Sequence, residues 1–273
     1  MVGIGADGRS ASKREGYAAS TRMQPSAGYL RAVRLVRDSV PDFTVYPFSI
    51  PSIHSLDNLE LDAKVTFLIG ENGAGKSTLI EAIAVLAGFN AEGGTRNFRF
   101  DTRRSESCLH QFMRPVRGTR RPRDGFFLRA ESYFNVATEI ERLGVVDSYG
   151  GVSLHEQSHG ESFLALANNR FGGNGLYILD EPEAALSPQR QLSLLAIINN
   201  LVEERASQFI IATHSPILMA YPNALLYRLA SNGMERVAYE ETEHYRITRD
   251  FLNSPERFFK GLFRRVGSDA GDD

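Results

Sequence analysis

Three stretches of the chain hold residues able to grip and cleave a phosphate ester. The first, GENGAGKST, has the spacing Gly-x-x-x-x-Gly-Lys-Ser. Gly73 and Gly75 allow backbone N–H groups to close around phosphate oxygens, and the start of the following helix adds its positive dipole end. Lys76 can reach the β and γ phosphates, and the Ser77 hydroxyl is placed to ligate Mg²⁺. The candidate nucleotide-binding set is therefore Gly70, Glu71, Asn72, Gly73, Ala74, Gly75, Lys76, Ser77 and Thr78. In the second stretch, GLYILDEPEAAL, an apolar run ends at Asp180 and Glu181. Asp180 is a candidate second Mg²⁺ holder, and Glu181 would orient and deprotonate an attacking water. The third, QFIIATHSP, ends at His214, a candidate γ-phosphate contact.

Strands ending at one sheet edge are needed to bring these groups together. LELDAKVTFLIG reads as a strand feeding the glycine loop, and YLRAVRLV as another. KSTLIEAIAVLAG reads as a helix, with Leu79, Ile80, Ile83 and Leu86 at core spacing and Gly88 as its stop. Leu176 to Leu179 form a buried strand, so Asp180 and Glu181 fall at the carboxyl edge where open α/β sheets bind ligands. Ser187 and Pro188 begin the crossover helix QRQLSLLAIINNLVEERAS, and QFIIA returns as a parallel strand. The expected fold is α/β: a P-loop NTPase with a mostly parallel central sheet flanked by helices and a small helical, arginine-rich insertion.

The chain has 273 residues, 42% of them hydrophobic, which suits one large core with an insertion better than two equal domains. The expected division is a flexible extension over 1–28, an ATPase domain over 29–242 containing an arginine-rich insertion and signature subdomain at 90–160, and a C-terminal amphipathic helix with a loose tail over 243–273. With 31 basic and 33 acidic residues, any affinity for nucleic acid or membrane must be local. Cys108 is the single cysteine, which excludes an intramolecular disulfide and suits a reducing compartment. No apolar run reaches the roughly 18 to 20 residues of a membrane helix, so the expected location is cytoplasmic, without membrane insertion.

One stretch reads in two incompatible ways. In LHEQSHGESF, His155, Glu156 and His159 spell the H-E-x-x-H of a zinc protease, which needs both histidines on one regular helix. Gly160 follows at once, and Gly150 and Gly151 lie just before; glycine is poor in a helix interior.

Taken in order, GENGAGKST, SHGES, ILDEPEAALSP and ATHSP resemble the Walker A, signature, Walker B with D-loop, and switch histidine of the ABC-class ATPases. Within that class, compact size and the Thr-His-Ser-Pro ending more resemble the soluble bacterial ATPases of the AAA-family group akin to RecF, OLD and SMC-type proteins. The resemblance covers roughly residues 29 to 250. It implies ATP and Mg²⁺ as cofactors, ATP hydrolysis with Glu181, His214 and Lys76 in the catalytic set, and a homodimer with composite sites. It also implies that Ser158 and Gly160 act in trans, at the head of a helix facing the other protomer's γ phosphate. This settles the LHEQSHGESF stretch in favour of the signature. Departures from the transporter pattern are His159 for the first signature Gly, Ser187 at the D-loop aspartate position, and Glu131 where a Gln is expected. Tyr46 and Phe48 are candidates for stacking on adenine or for core packing.

Arg96 to Arg129 holds ten Arg against three acids, with Phe98, Phe100, Phe112, Phe126 and Phe127 interspersed. Such a run can grip phosphate backbones and stack on bases, which makes nucleic acid a candidate partner. The alternatives are a solvated face or pairing with an acidic partner surface. Two purposes stay open: an ATP-dependent dimer switch in DNA maintenance or defence with an unidentified protein partner, or the nucleotide-binding subunit of an ABC transporter.

Overall fold

A computed structural model describes residues 28–96, 107–131, 133–144, 153 and 158–263. Two sheets organise them. The larger has the strand order β5-β6-β7-β3-β8-β9, from β5 (Asp124–Arg129), β6 (Gly175–Asp180), β7 (Gln208–Ala212), β3 (Val65–Ile69), β8 (Leu225–Ala230) and β9 (Gly233–Arg236). All neighbours are parallel except β8 and β9. The smaller sheet is antiparallel, in the order β2-β1-β4, from β1 (Leu30–Leu35), β2 (Asn58–Glu60) and β4 (Met113–Arg117).

VTFLI, GLYILD and QFIIA are almost continuously apolar because both faces of their sheet are covered. Alternation along each strand splits their side chains between two cores. Phe67, Leu179 and Ile211 join Phe163 and Leu166 of α4 (His159–Arg170) and Leu194 and Ile198 of α5 (Pro188–Glu203). Leu68, Ile178 and Ile210 join Leu79, Ile80 and Ile83 of α2 (Lys76–Leu86) and Val33 and Leu35 of β1. Each such burial contributes about 1.5–3 kcal/mol, and together they fix which strand ends lie side by side. Gly88, at φ 91°, ends α2 in the left-handed conformation that glycine adopts without strain.

Three sequence expectations change. LELDAKVTFLIG is two strands: the Asp62 carboxylate accepts from the Lys64 N–H (2.7 Å) and Thr66 Oγ1 from the Asp62 N–H (2.8 Å). That turn sends β2 to one sheet and β3 to the other. The segment expected as an arginine-rich insertion contributes β4 to the small sheet and β5 to the edge of the large one, so much of it is framework. Its Phe126 and Phe127 are fully buried, and Phe112 packs edge-on against Phe48 at 5.1 Å. Phe98 and Phe100 lie outside the described residues. The single C-terminal helix is two helices, α6 (Glu243–Asn253) and α7 (Pro255–Leu262), parted where Pro255 removes a backbone donor. Of the expected extension 1–28 only Gly28 is described, and it is buried against Gln208.

Candidate functional site

The strands β5, β6, β7 and β3 are neighbours, and each delivers a polar group to the same carboxyl edge. Arg129 ends β5 beside Asp180, which ends β6; Asp180 pairs with Ala212 of β7, two residues before His214; and β3 runs into Gly70. The expected groups therefore converge although more than a hundred residues separate them in the chain.

Gly75 precedes α2 at φ 94°, and a Cβ there would lie 2.8 Å from the Ile50 side chain, so the loop is tight as well as left-handed. Lys76 is only 4% exposed, and its Nζ donates to the carbonyls of Gly70 (2.9 Å) and Glu71 (3.1 Å). Desolvation lowers its pKa, offset by Glu181, whose Oε1 is 3.9 Å away. The Ser77 hydroxyl donates to Asp180 Oδ1 at 3.4 Å. Gly70, Glu71, Asn72, Gly73 and Ala74 line a cavity of about 630 Å³ closed on its far side by Arg228, Ser231 and the start of α6. This volume lies within the range of small-ligand pockets, and a Cβ at Gly73 would meet open space.

Asp180 is buried, and its carboxyl is pushed up to about 7 by desolvation, with Arg129 opposing and Glu181 adding to the rise. Arg129 Nε lies 3.4 Å from Asp180 Oδ2, while its NH1 donates to Glu81 at 2.9 Å. Glu181 has φ 50° and ψ 50°, a left-handed conformation costly for a side chain and common where function requires it. Its Oε1 lies 3.2 Å from His214 Nε2, and the Glu183 carboxylate accepts from the His214 N–H. The other ring nitrogen, His214 Nδ1, is 3.3 Å from His244 Nε2, so one of these two nitrogens carries the shared proton.

Ser158 and Gly160 stand apart from this cluster. Ser158 is the extended N-cap of α4, so the helix holding His159 does not reach back to His155, which itself lies outside the described residues with Glu156. The Ser158 hydroxyl donates to Glu161 (2.6 Å) and accepts from Arg190 (3.3 Å), and Arg190 pairs with Glu161 at 2.9 Å. Among the described residues Ser158 makes no hydrogen bond to the glycine loop of its own chain. A Cβ at Gly160 would fall 2.6 Å from the Arg190 guanidinium and 2.9 Å from the Ala185 carbonyl oxygen, which explains the glycine.

The remaining placements were left open by the sequence or not foreseen in it. Phe48 is core, whereas Tyr46 is 63% exposed with its hydroxyl 3.4 Å from Thr78 Oγ1. Arg129, counted in the basic run, is drawn into the acidic cluster instead. Glu131 points outward, its side chain 86% exposed and 3.6 Å from Arg129. His244 joins the site without any signal in the sequence, since nothing in EETEHYRITRD marks the residue that meets His214.

Residues 49–134 match the family described as an AAA domain, and residues 145–220 the family described as "AAA domain, putative AbiEii toxin, Type IV TA system". The tungstate uptake system ATP-binding protein TupC of Campylobacter jejuni is 24% identical over 230 residues, 74% of this chain and 69% of that protein. The thiamine import ATP-binding protein ThiQ of Vibrio vulnificus is 29% identical over 175 residues, 58% of this chain and 73% of that protein. The SMC head domain from Thermotoga maritima is 17% identical, with a TM-score of 0.41 over 76% of this chain and 98% of that one. These matches make the chain similar to P-loop ATPases of the ABC/AAA class, and the likeness supports ATP binding and hydrolysis. Among its described residues no helix is long and apolar enough to cross a membrane.

Proposed function

We propose that the chain is an Mg²⁺-dependent ATPase whose hydrolysis switches a homodimer. The carrying observation is the convergence of Lys76, Ser77, Asp180, Glu181 and His214 on one sheet edge. In this reading the backbone N–H groups of Gly70 to Thr78 and Lys76 hold the phosphates. Tyr46, exposed beside the loop, is the candidate for stacking on adenine. Ser77 and Asp180 would hold Mg²⁺. Their oxygens suit a hard cation, and the Ser77 hydroxyl and the buried Asp180 carboxylate already lie 3.4 Å apart. When bound, the metal neutralises charge on the β and γ phosphates. Glu181 takes the proton of the attacking water, and His214, held by Glu181, Glu183 and His244, meets the γ phosphate.

Ser158 and Gly160 would complete the partner's site, which accounts for their position away from their own loop. The purpose we favour is a switch in DNA maintenance or defence. It is supported by Arg117, Arg120 and Arg121 of β4 and the β4–β5 loop, which form no ion pair among the described residues, as a nucleic-acid contact, and by Glu131 standing where transporter subunits are expected to have Gln. The second reading, a transporter's nucleotide-binding subunit, is supported by the names of TupC and ThiQ. Purification from the native host in ATP, using Glu181→Gln, separates them. Recovery with nucleic acid or another protein without a membrane-spanning chain supports the switch; stoichiometric recovery with a membrane subunit supports the transporter. Absence of Mg²⁺-dependent phosphate release by the unaltered protein would overturn both.

A further inference from the structure

At the opposite end of α2 from the phosphate loop lies a second cavity, of about 520 Å³, bounded by Tyr29 and Leu30 at the start of β1, Gly88, Leu176 and the β4–β5 loop. The 11 residues of α2 set it about 16 Å from Lys76 at 1.5 Å per residue. Arg96, Arg117, Arg120 and Arg121 all line it, and among the described residues no carboxylate does.

Several other arginines of the described fold are held in ion pairs: Arg129 with Glu81, Arg142 with Glu139, Arg170 with Asp124, Arg190 with Glu161 and Arg236 with Glu60, each at 2.7–2.9 Å. The four cavity arginines form no ion pair among the described residues. Desolvation and then the charge of Arg117 lower the pKa of Arg96, and Asp124 opposes them without cancelling them. Like charges gathered in one concavity with no carboxylate in its described lining form an electrostatic focus for an anion. Two of the four are also oriented. The Arg96 guanidinium lies 5.3 Å over the Phe89 ring, and Arg117 donates to the Leu86 carbonyl at 3.0 Å. A planar guanidinium held in place recognises phosphoryl oxygens through paired N–H groups. Leu30, Leu176 and Pro122 add an apolar wall, so the cavity has room and lining for more than a bare ion.

We propose that this cleft binds a phosphate-bearing anion through Arg96, Arg117, Arg120 and Arg121. The favoured source is the phosphodiester backbone of single-stranded nucleic acid, and to that extent the inference rests on the nucleic-acid reading above. The alternative source of the same chemistry is a free polyphosphate. Neither requires ATP turnover.

The test uses the full chain carrying Lys76→Ala, which removes the lysine's charge from the glycine loop and so weakens phosphate binding there. Anisotropy of a labelled oligothymidylate of about 15 nucleotides and calorimetry with inorganic pyrophosphate are run at about 50 mM salt. At least one probe should bind, and adding Arg120→Ala with Arg121→Ala should weaken it by about tenfold or more. For the oligonucleotide, the slope of log K against log salt should also fall by about 0.7 for each phosphate no longer neutralised. Binding of the oligonucleotide alone assigns a phosphodiester, and binding of pyrophosphate alone assigns a free anion. If neither probe binds, or if the arginine changes leave affinity unaltered, the site is refuted. Circular dichroism confirms folding, and either single arginine change gives the same test should the pair unfold. Phosphate release by the protein with Lys76 intact is followed separately, so an inactive ATPase and an empty cleft are distinguishable.

Discussion

In the proposed mechanism Glu181 is the residue on which hydrolysis turns. It is held in a left-handed backbone conformation, 3.2 Å from His214 and 3.9 Å from Lys76, where a carboxylate can accept a proton from water aligned on a bound phosphate. Glu181→Gln keeps the size and polarity but not the basicity. Steady-state phosphate release should fall by about a hundredfold or more, while ATP affinity measured by calorimetry stays within about threefold, as expected for loss of a general base. Unchanged turnover would remove Glu181 from this role. The loop, the acidic pair and His214 were legible in the sequence because each ends a recognisable apolar strand. Arg129 and His244 were not. Arg129 sits in a basic run, and only its register beside Asp180 on the neighbouring strand shows that it balances buried acids. His244 reaches His214 through the packing of a separate helix, which no local spacing encodes.

The elements hold the site through ties at their far ends as well as at the edge. Asp124, at the start of β5, accepts from Arg170 at the end of α4 (2.7 Å), from Tyr177 Oη on β6 (2.7 Å) and from the Gly172 N–H (2.8 Å). It thereby joins the strand that ends in Arg129, the strand that ends in Asp180 and the helix that begins at Ser158. Asp124→Asn should lower stability to denaturant by about 2–4 kcal/mol, because it removes the charge that Arg170 pairs with and weakens the bonds accepted from Tyr177 and Gly172. Desolvation pushes the Asp124 carboxyl up, but the hydrogen bonds from Tyr177, Gly172 and Arg170 outweigh it and leave the group below its ordinary 3.8. With the folded value below the unfolded one, this contribution is present above pH 3.8 and disappears as pH falls through the folded value. The gap between unaltered protein and Asp124→Asn should therefore be full at neutral pH and close below about pH 4; a gap that persists in acid would mean the lost shape, not the charge, matters. Periodicity revealed the parallel core because its strands are apolar throughout. It failed at LELDAKVTFLIG, where a short turn at Asp62 divides two strands of similar composition, and at Met113–Arg117, whose exposed arginines hid an edge strand.

For the whole molecule, the question is whether one chain suffices for catalysis. Ser158 and Gly160 open α4 without a hydrogen bond to the loop of their own chain among the described residues, and the Ser158 hydroxyl is engaged with Glu161 and Arg190. If α4 instead faces a partner's phosphate, each site of a two-fold dimer joins Lys76 of one protomer to Ser158 of the other. Lys76→Ala and Ser158→Arg should then each be nearly inactive as homodimers. A heterodimer of the two places both defects in one site and leaves the other intact. Random pairing makes about half of the dimers mixed, so the mixture should recover about a quarter of the unaltered activity if the sites act independently. Strict coupling between sites would suppress that recovery, so ATP-dependent dimerisation of Glu181→Gln is followed in parallel by light scattering. Recovery near a quarter establishes shared sites. A mixture that stays inactive while Glu181→Gln stays monomeric in ATP would mean that hydrolysis is completed within one chain, leaving Ser158 as the cap of its helix and nothing more.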